Sequence, residues 1–428
     1  MAETESNYET AESLRKNKQF VEAIKHFAVL WEQNPSAYIG WRYAHCLRKT
    51  GRLEDAENVA RLALEKYPQD KYTKSELGWV LYDKELKPAK EETDLGRAVH
   101  FANEIILLNP DLFALNLVAS AVMKVAKSRS KWDIVLEWAS KLEATNLSNE
   151  PRMFSGKRSM SERETWYVSR ARALLELERY DEARVFAHEG IEEFPDELFL
   201  ARTAALALAR SGNVQDGADG LRQLLTHRRA DWYVKADLAE MEYHLGNHVE
   251  AYRLMCEAVS NQQDDEYKLG YFVTLGRISV ALNRFDIAAE HVELARSVRI
   301  NNNWSIPADL MQLEEAVQDG LSKQGQVWPV LPKDLNKLSR ICQQRWKEGA
   351  NAGLEFVRGT LGAISPNRPF AFIKQDEGGE DVFVIVKHVP TKCAREGARL
   401  EFTLKNSYDK KKNRESLQAA NIRCLKVD

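Results

Sequence analysis

The 428 residues contain only five cysteines, Cys46, Cys256, Cys342, Cys393 and Cys424, scattered with no Cys-x-x-Cys pair and no Cys/His cluster. That scarcity argues against a structural zinc site and a disulfide framework, and it fits a reducing compartment. Glycine and proline are sparse, at 21 and 12, which excludes a fibrous or low-complexity chain. Net charge is nearly absent, −3 from 61 basic and 64 acidic residues, so the total points to no polyanion partner. Long apolar runs are missing as well. The most apolar stretch, Leu112 to Ala126, is broken by Asn116, Ser120 and Lys124 and falls short of the roughly 20 residues that a membrane span needs. The opening MAETESNYET is polar and acidic, unlike an export signal. These absences predict a folded cytoplasmic protein with no membrane association.

Catalytic signatures are equally scarce. No Ser/His/Asp set, nucleophile elbow, glycine-rich phosphate loop or paired-carboxylate motif can be picked out. His244 and His248 have the spacing of helical metal ligands, but Gly246 and Asn247 between them mark a turn, so the two do not share a helix face. The expectation is a protein that is not an enzyme, with no catalytic residue, no metal and no cofactor.

What the sequence has is a repeat. The strings KQFVEA ending at Ala23, GRLEDA at Ala56, RYDEA at Ala183, GNVQDG at Gly217, GNHVEA at Ala251 and NRFDIA at Ala288 recur as a turn followed by a helix start. Ala23 to Ala56 is 33 residues, Ala183 to Gly217 and Gly217 to Ala251 are 34 each, and Ala251 to Ala288 is 37. Pro35, Pro68, Pro110 and Pro195 each fall 12 residues after Ala23, Ala56, Ala98 and Ala183, where proline would end the second helix. A small residue sits upstream of each turn: Ala11, Ala44, Gly78, Ala171, Ala205, Ala239 and Gly276. Small side chains there let two antiparallel helices approach. This pattern, with the Leu-Gly pairs at Leu77-Gly78 and Leu275-Gly276, resembles the tetratricopeptide repeat over roughly residues 4–300. The resemblance implies a superhelical solenoid of helical hairpins whose groove binds a protein partner. Between Gly78 and Ala98 the spacing is 20 rather than 12, so Glu85–Glu92 is expected to extend a turn. The polar segment Asn149–Glu162 is expected to be a loop. No groove Lys and Asn set for clamping a peptide carboxylate can be placed.

Beyond the repeats, Ile306–Gly320 and Lys333–Val357 read as two more helices, the second joining or packing on the C-terminal strands. From Arg358 onward the helical period gives way to alternating apolar residues with Gly, Asn and Asp punctuation, the pattern of five short strands. FAFI (Phe370–Ile373) and DVFV (Asp381–Val384) flank a turn at Gly378-Gly379. GTLGAIS (Gly359–Ser365), EGARLEFTL (Glu396–Leu404) and LQAANI (Leu417–Ile422) supply the other three strands. In this order the five pieces resemble a cold-shock domain, an OB-type barrel whose two central strands contact nucleic acid. Alternation along a strand puts Ala371, Ile373, Val382 and Val384 inside and the rings of Phe370, Phe372 and Phe383 outside. Exposed rings on such a barrel stack unpaired bases.

The basic excess collects here, with 14 Lys and Arg against 9 Asp and Glu from Phe356 to Asp428, a local +5 that leaves −8 elsewhere. Arg368, Lys374, Lys387, Lys392, Arg399 and the run Lys410, Lys411, Lys412 and Arg414 are the candidate phosphate contacts. Against the resemblance, Gly362, Ala363 and Ile364 stand where the family carries Lys, Trp and Phe; Pro369 and Ala371 replace glycines, and Ile385 and Val386 replace His and Phe.

The sequence therefore predicts a mostly α chain: a tetratricopeptide solenoid over 1–320, a connecting helical segment over 321–357, and a five-stranded antiparallel OB-type barrel over 358–428. The expected function is that of an adaptor, binding a protein partner through the groove and single-stranded RNA or DNA through Phe370, Phe372, Phe383 and the basic residues. The alternative is a pure protein-interaction scaffold, for instance an accessory subunit of a larger enzyme complex, whose aromatic face docks on a partner. Oligomeric state is left open.

Overall fold

Short polar side chains start several of the helices. Ser36, Asp70, Asp94, Asp111 and Ser161 each accept a hydrogen bond from the backbone N–H three residues on, and Ser161 with Glu164 forms a reciprocal capping box. In this computed structural model, which describes residues 2–151, 153–154, 156–227, 230–365, 368–409 and 414–425, the helices pair into successive hairpins. These run from Ala2–Lys16 with Phe20–Gln33 to Leu269–Ala281 with Phe285–Asn301. The prolines do what their spacing predicts: helices Phe20–Gln33, Leu53–Lys66, Leu95–Leu107 and Tyr180–Glu193 all stop just before Pro35, Pro68, Pro110 and Pro195.

The turn inside each hairpin carries one residue in the left-handed region. Lys18, Gly51, Thr93, Glu178, Gly212, Gly246 and Asn283 have φ between 55° and 107°, and each stands five residues before the small residue that opens the second helix. Nothing lies within 4 Å of a side chain built at Gly246, so a substitution there meets backbone strain alone. Gly246→Ala is expected to destabilise that hairpin by about 1 kcal/mol, whereas Glu178→Gly, relieving the same strain, is expected to leave its hairpin unweakened. Hydrogen exchange of the flanking helices checks both.

The chain divides into two compact units, Met1–Gly220 and Leu221–Asp428. In the first, Ala11, Ala44, Ala98 and Ala171 are fully buried at the helix crossings. The extra residues after Gly78 extend the helix rather than the turn: a π turn, Tyr82–Leu86, runs into Lys87–Glu92, which ends at Thr93 with φ 55°. The stretch is rich in helix formers, and Pro88, which has no N–H to donate to the helix, stands just after the π turn. Within the segment expected to be a loop, β1 (Met153–Phe154) and β2 (Lys157–Arg158) pair in a short ladder.

In the second unit the two helices after the repeats are Ala308–Lys323 and Leu335–Gly349. The latter packs on the repeat helices rather than on the barrel, because its apolar side finds partners there. Trp346 stacks on Phe272 with ring centroids 5.5 Å apart, and Arg345 reaches the Glu290 carboxylate at 3.0 Å. Gly349 lies where a Cβ would come 2.5 Å from Cys256 Sγ and 2.6 Å from the Tyr252 ring.

The barrel comes last: β3 (Val357–Leu361), β4 (Phe370–Gln375), β5 (Val382–Ile385), β6 (Arg399–Asp409) and β7 (Arg414–Cys424), closed in the order β3-β4-β5-β7-β6. Four ladders are antiparallel and β5 with β7 is parallel. In a closed ring of five strands directions cannot alternate all the way round, so one parallel neighbour is unavoidable. Leu361, Ala371, Ile373, Val382, Val384, Leu400 and Phe402 fill the core. Gly359 is required where β3 crosses β4, since a Cβ there would lie 2.5 Å from the Lys374 carbonyl oxygen.

One expectation is overturned. Cys393 and Cys424 form a disulfide, with Cα atoms 6.0 Å apart, inside the range for a bridge. Their 31-residue separation has no sequence signature; they meet because barrel closure brings the end of β7 beside the turn Thr391–Cys393. Cys46, Cys256 and Cys342 are free and buried, and burial pushes all three thiols up. No helix among the described residues is long and apolar enough to cross a membrane.

Candidate nucleic-acid interface

The side-chain alternation expected for β4 and β5 sets up the face. Ala371, Ile373, Val382 and Val384 are buried in the core, so Phe370, Phe372 and Phe383 stand on the outer side. The register places Phe372 opposite Phe383 and Phe370 opposite Ile385. The three rings form one cluster, with centroids 6.0 Å apart for Phe370–Phe372, 5.5 Å for Phe370–Phe383 and 6.1 Å for Phe372–Phe383. Phe372 is 45% exposed, while Phe370 and Phe383 are half-buried. Among the described residues, the aromatic partners of these rings are one another.

Beside Phe370 and Phe383 lies a hollow of about 520 Å³, lined by Ile364, Ser365, Arg368, Pro369, Ile385, Val386 and Lys387 together with those two rings. Arg368 and Lys387, both exposed, are among its lining residues. Lys374 is exposed on β4, on the same side of the strand as Phe370 and Phe372. These three cations and the three rings therefore come together. Lys410, Lys411 and Lys412 lie outside the described residues, and of Arg414 only the backbone, the first residue of β7, belongs to them.

Arg399, one of the basic residues counted toward this face, is engaged elsewhere. Its guanidinium grips the Asp376 carboxylate, one contact at 2.6 Å, and donates to Thr360 Oγ1 at 3.0 Å. That contact holds the Asp376 carboxyl below its ordinary range, and the pair adds no free charge. The first strand, expected over Gly359–Ser365, ends at Leu361, so Ser365 lies with Pro369 in the connection to β4; both line the hollow, and sequence reading did not place them there. Ile364, Ile385 and Val386, noted only as departures from the family, line the hollow with aliphatic surface.

Comparison with known proteins bears mainly on the helical part. Residues 14–75 match the model of the tetratricopeptide repeat, and residues 198–319 match that of a domain of unknown function (DUF7017). No curated protein matches the chain. Among solved structures it is similar to a tetratricopeptide repeat protein from Parabacteroides merdae, at 12% identity over 63% of this chain and 98% of that one, with TM-score 0.30. It is similar to the Cut9–Hcn1 hetero-tetramer of the APC/C at 10% identity over 72% of this chain and 54% of that one, TM-score 0.40. It is also similar to TTC0263, a tetratricopeptide repeat protein of Thermus thermophilus, at 16% identity over 56% of this chain and 96% of that one, TM-score 0.30.

Proposed function

We propose that this chain is a non-enzymatic adaptor: its solenoid, residues 1–320, holds a protein partner, a connecting segment spans 321–357, and its barrel, residues 358–428, holds single-stranded RNA or DNA. The observation that carries the barrel half is the cluster of Phe370, Phe372 and Phe383 on the outer side of β4 and β5, with Arg368 and Lys387 lining the adjoining hollow. Rings on such a face stack bases without regard to sequence, and the cations meet phosphates, which makes binding salt-dependent. The solenoid half rests on the repeat itself, because stacked helical hairpins expose a long surface suited to a protein ligand.

The test is titration of fluorescent single-stranded RNA and DNA oligonucleotides at two salt concentrations, with wild type and the Phe370→Ala/Phe383→Ala variant. At about 1–3 kcal/mol per stacked base, the double variant is expected to bind at least tenfold more weakly. Absence of wild-type binding at micromolar protein would sink the nucleic-acid reading. The aliphatic lining from Ile364, Ile385 and Val386 favours the second reading, a pure protein scaffold whose hollow takes a partner's apolar side chain.

A further inference from the structure

In the unit Met1–Gly220, the first helices of four successive hairpins carry aromatic rings, of which Tyr8 and Trp79 pack in part against the helical core while others stand clear of it. Tyr8 meets Tyr38 at 4.9 Å, Trp41 stacks on Tyr72 at 5.6 Å, and Trp79 meets Phe113 at 6.1 Å between centroids. Each contact passes from one hairpin to the next, so the rings form a ladder across the helices Ala2–Lys16, Ala37–Lys49, Lys71–Leu81 and Leu112–Ser128. Tyr38, Tyr72 and Phe113 are 54%, 54% and 66% exposed. Repeated exposure of large rings on one face marks a binding surface rather than a core.

Charge on this face decides the kind of partner. Lys71 is exposed and sits 5.1 Å from the Tyr72 ring centroid, whereas the arginines of this face are closed onto carboxylates. Arg15 and Arg42 both hold Glu12, at 2.8 and 3.2 Å, and Arg48 holds Glu76 at 2.7 Å and Asp83 at 2.9 Å. The guanidinium of Arg42 lies over the rings as well, 4.0 Å from the Tyr38 centroid and 4.2 Å from that of Trp41. A polyanion would meet three carboxylates here and no unpaired arginine among these three, while a strongly basic segment would meet carboxylates already satisfied. The surface is matched to an uncharged ligand with flat apolar faces.

We infer that the ladder of Tyr38, Trp41, Tyr72, Trp79 and Phe113 docks a proline-rich segment of a partner protein in the polyproline II conformation. Pyrrolidine rings pack on aromatic faces, and the extended segment is ordered before it binds, so little entropy is lost. Its carbonyls have no internal donors. The indole N–H groups of Trp41 and Trp79 donate to no protein group among the described residues and are free to supply them. This inference rests on the reading of the solenoid as a protein-binding element and names the class of its partner.

The experiment titrates full-length protein into fluorescein-labelled decaproline, followed by anisotropy, with a Gly-Ser decapeptide and a uridine decanucleotide as comparison probes. The Tyr38→Ala/Tyr72→Ala/Phe113→Ala variant, all at exposed positions, is run in parallel after circular dichroism has verified its helix content. Expected are saturable decaproline binding that changes less than twofold between low and high salt, no binding of the Gly-Ser peptide, and at least tenfold weakening in the variant. Absent decaproline binding, or binding the variant retains, overturns the inference. Uridine binding lost in the variant overturns it too, making the ladder a nucleic-acid platform. In a separate arm, if decaproline fails but a protein co-purifying with wild type is lost from the variant, only the proline assignment falls. If both fail, the protein-binding reading of this face falls with it.

Discussion

Trp346→Ala is expected to cost about 3–5 kcal/mol, the usual penalty for emptying a buried tryptophan site. Trp346 is 2% exposed, stacks on Phe272 with planes 18° apart, and donates its indole N–H to His291 Nε2 at 3.0 Å. His291 Nδ1 lies 2.8 Å from the Ile287 carbonyl oxygen, which can only accept, so the proton of the neutral ring is on Nδ1 and Nε2 is the acceptor. The chain of bonds ties the helix Leu335–Gly349 to the repeat helix Phe285–Asn301. Trp346→Phe separates the two contributions: it keeps a ring on Phe272 but leaves His291 Nε2 buried without a donor, for an expected cost of about 1–3 kcal/mol. Because a chain with two units need not melt in one step, hydrogen exchange of the Phe285–Asn301 amides is the suitable readout. Protection unchanged in Trp346→Ala would show that the helix Leu335–Gly349 contributes nothing to that part of the solenoid.

Acidification is the second large effect, and it acts through His291, the hydrogen-bond partner of Trp346. Burial is the main force pushing His291 down from its usual 6.5 to about 4, with Arg345 and Arg284 opposing a further positive charge and the bond to Ile287 acting the other way. A histidine whose folded pKa is depressed is neutral in the native state at pH 7, as it is when unfolded, so above 6.5 it adds no pH dependence. As pH falls below 6.5 the unfolded chain takes up the proton and the folded chain does not, so stability drops until the native ring also protonates near pH 4. At about 1.4 kcal/mol per pKa unit the loss is roughly 2 kcal/mol by pH 5 and about 3 kcal/mol at completion. Comparing hydrogen exchange or denaturant midpoints at pH 7 and pH 5 tests this, with His291→Gln expected to lose that increment of the pH dependence. A wild-type slope equal to that of the variant would mean that His291 is not held neutral in the fold.

The legibility of this protein follows the range of the interactions involved. A hairpin turn is legible where its left-handed residue, its small residue and a proline stop lie within one repeat, Gly51, Ala56 and Pro68 being one such set. The insert after Gly78 was visible as a length but not as a shape, since only packing in the hairpin decides whether a π turn or a longer loop absorbs it. In the barrel, alternation alone assigns Ala371, Ile373, Val382 and Val384 to the core and the three phenylalanines to the surface. It carries the first strand too far, to Ser365 where β3 ends at Leu361, and says nothing of Pro369, which lies outside any strand.

Residue order by itself determined the helical period, the turn chemistry and the inward or outward side of β4 and β5, because each depends on backbone preference and side-chain direction over a few neighbouring positions. Tertiary structure alone decided the Cys393–Cys424 bridge, the seat of Trp346 on His291 at a separation of 55 residues, the capture of Arg399 by Asp376, and the aromatic ladder of the first unit. In each of these the partners are far apart in sequence and carry no local signature, so only chain closure and helix stacking bring their side chains within reach.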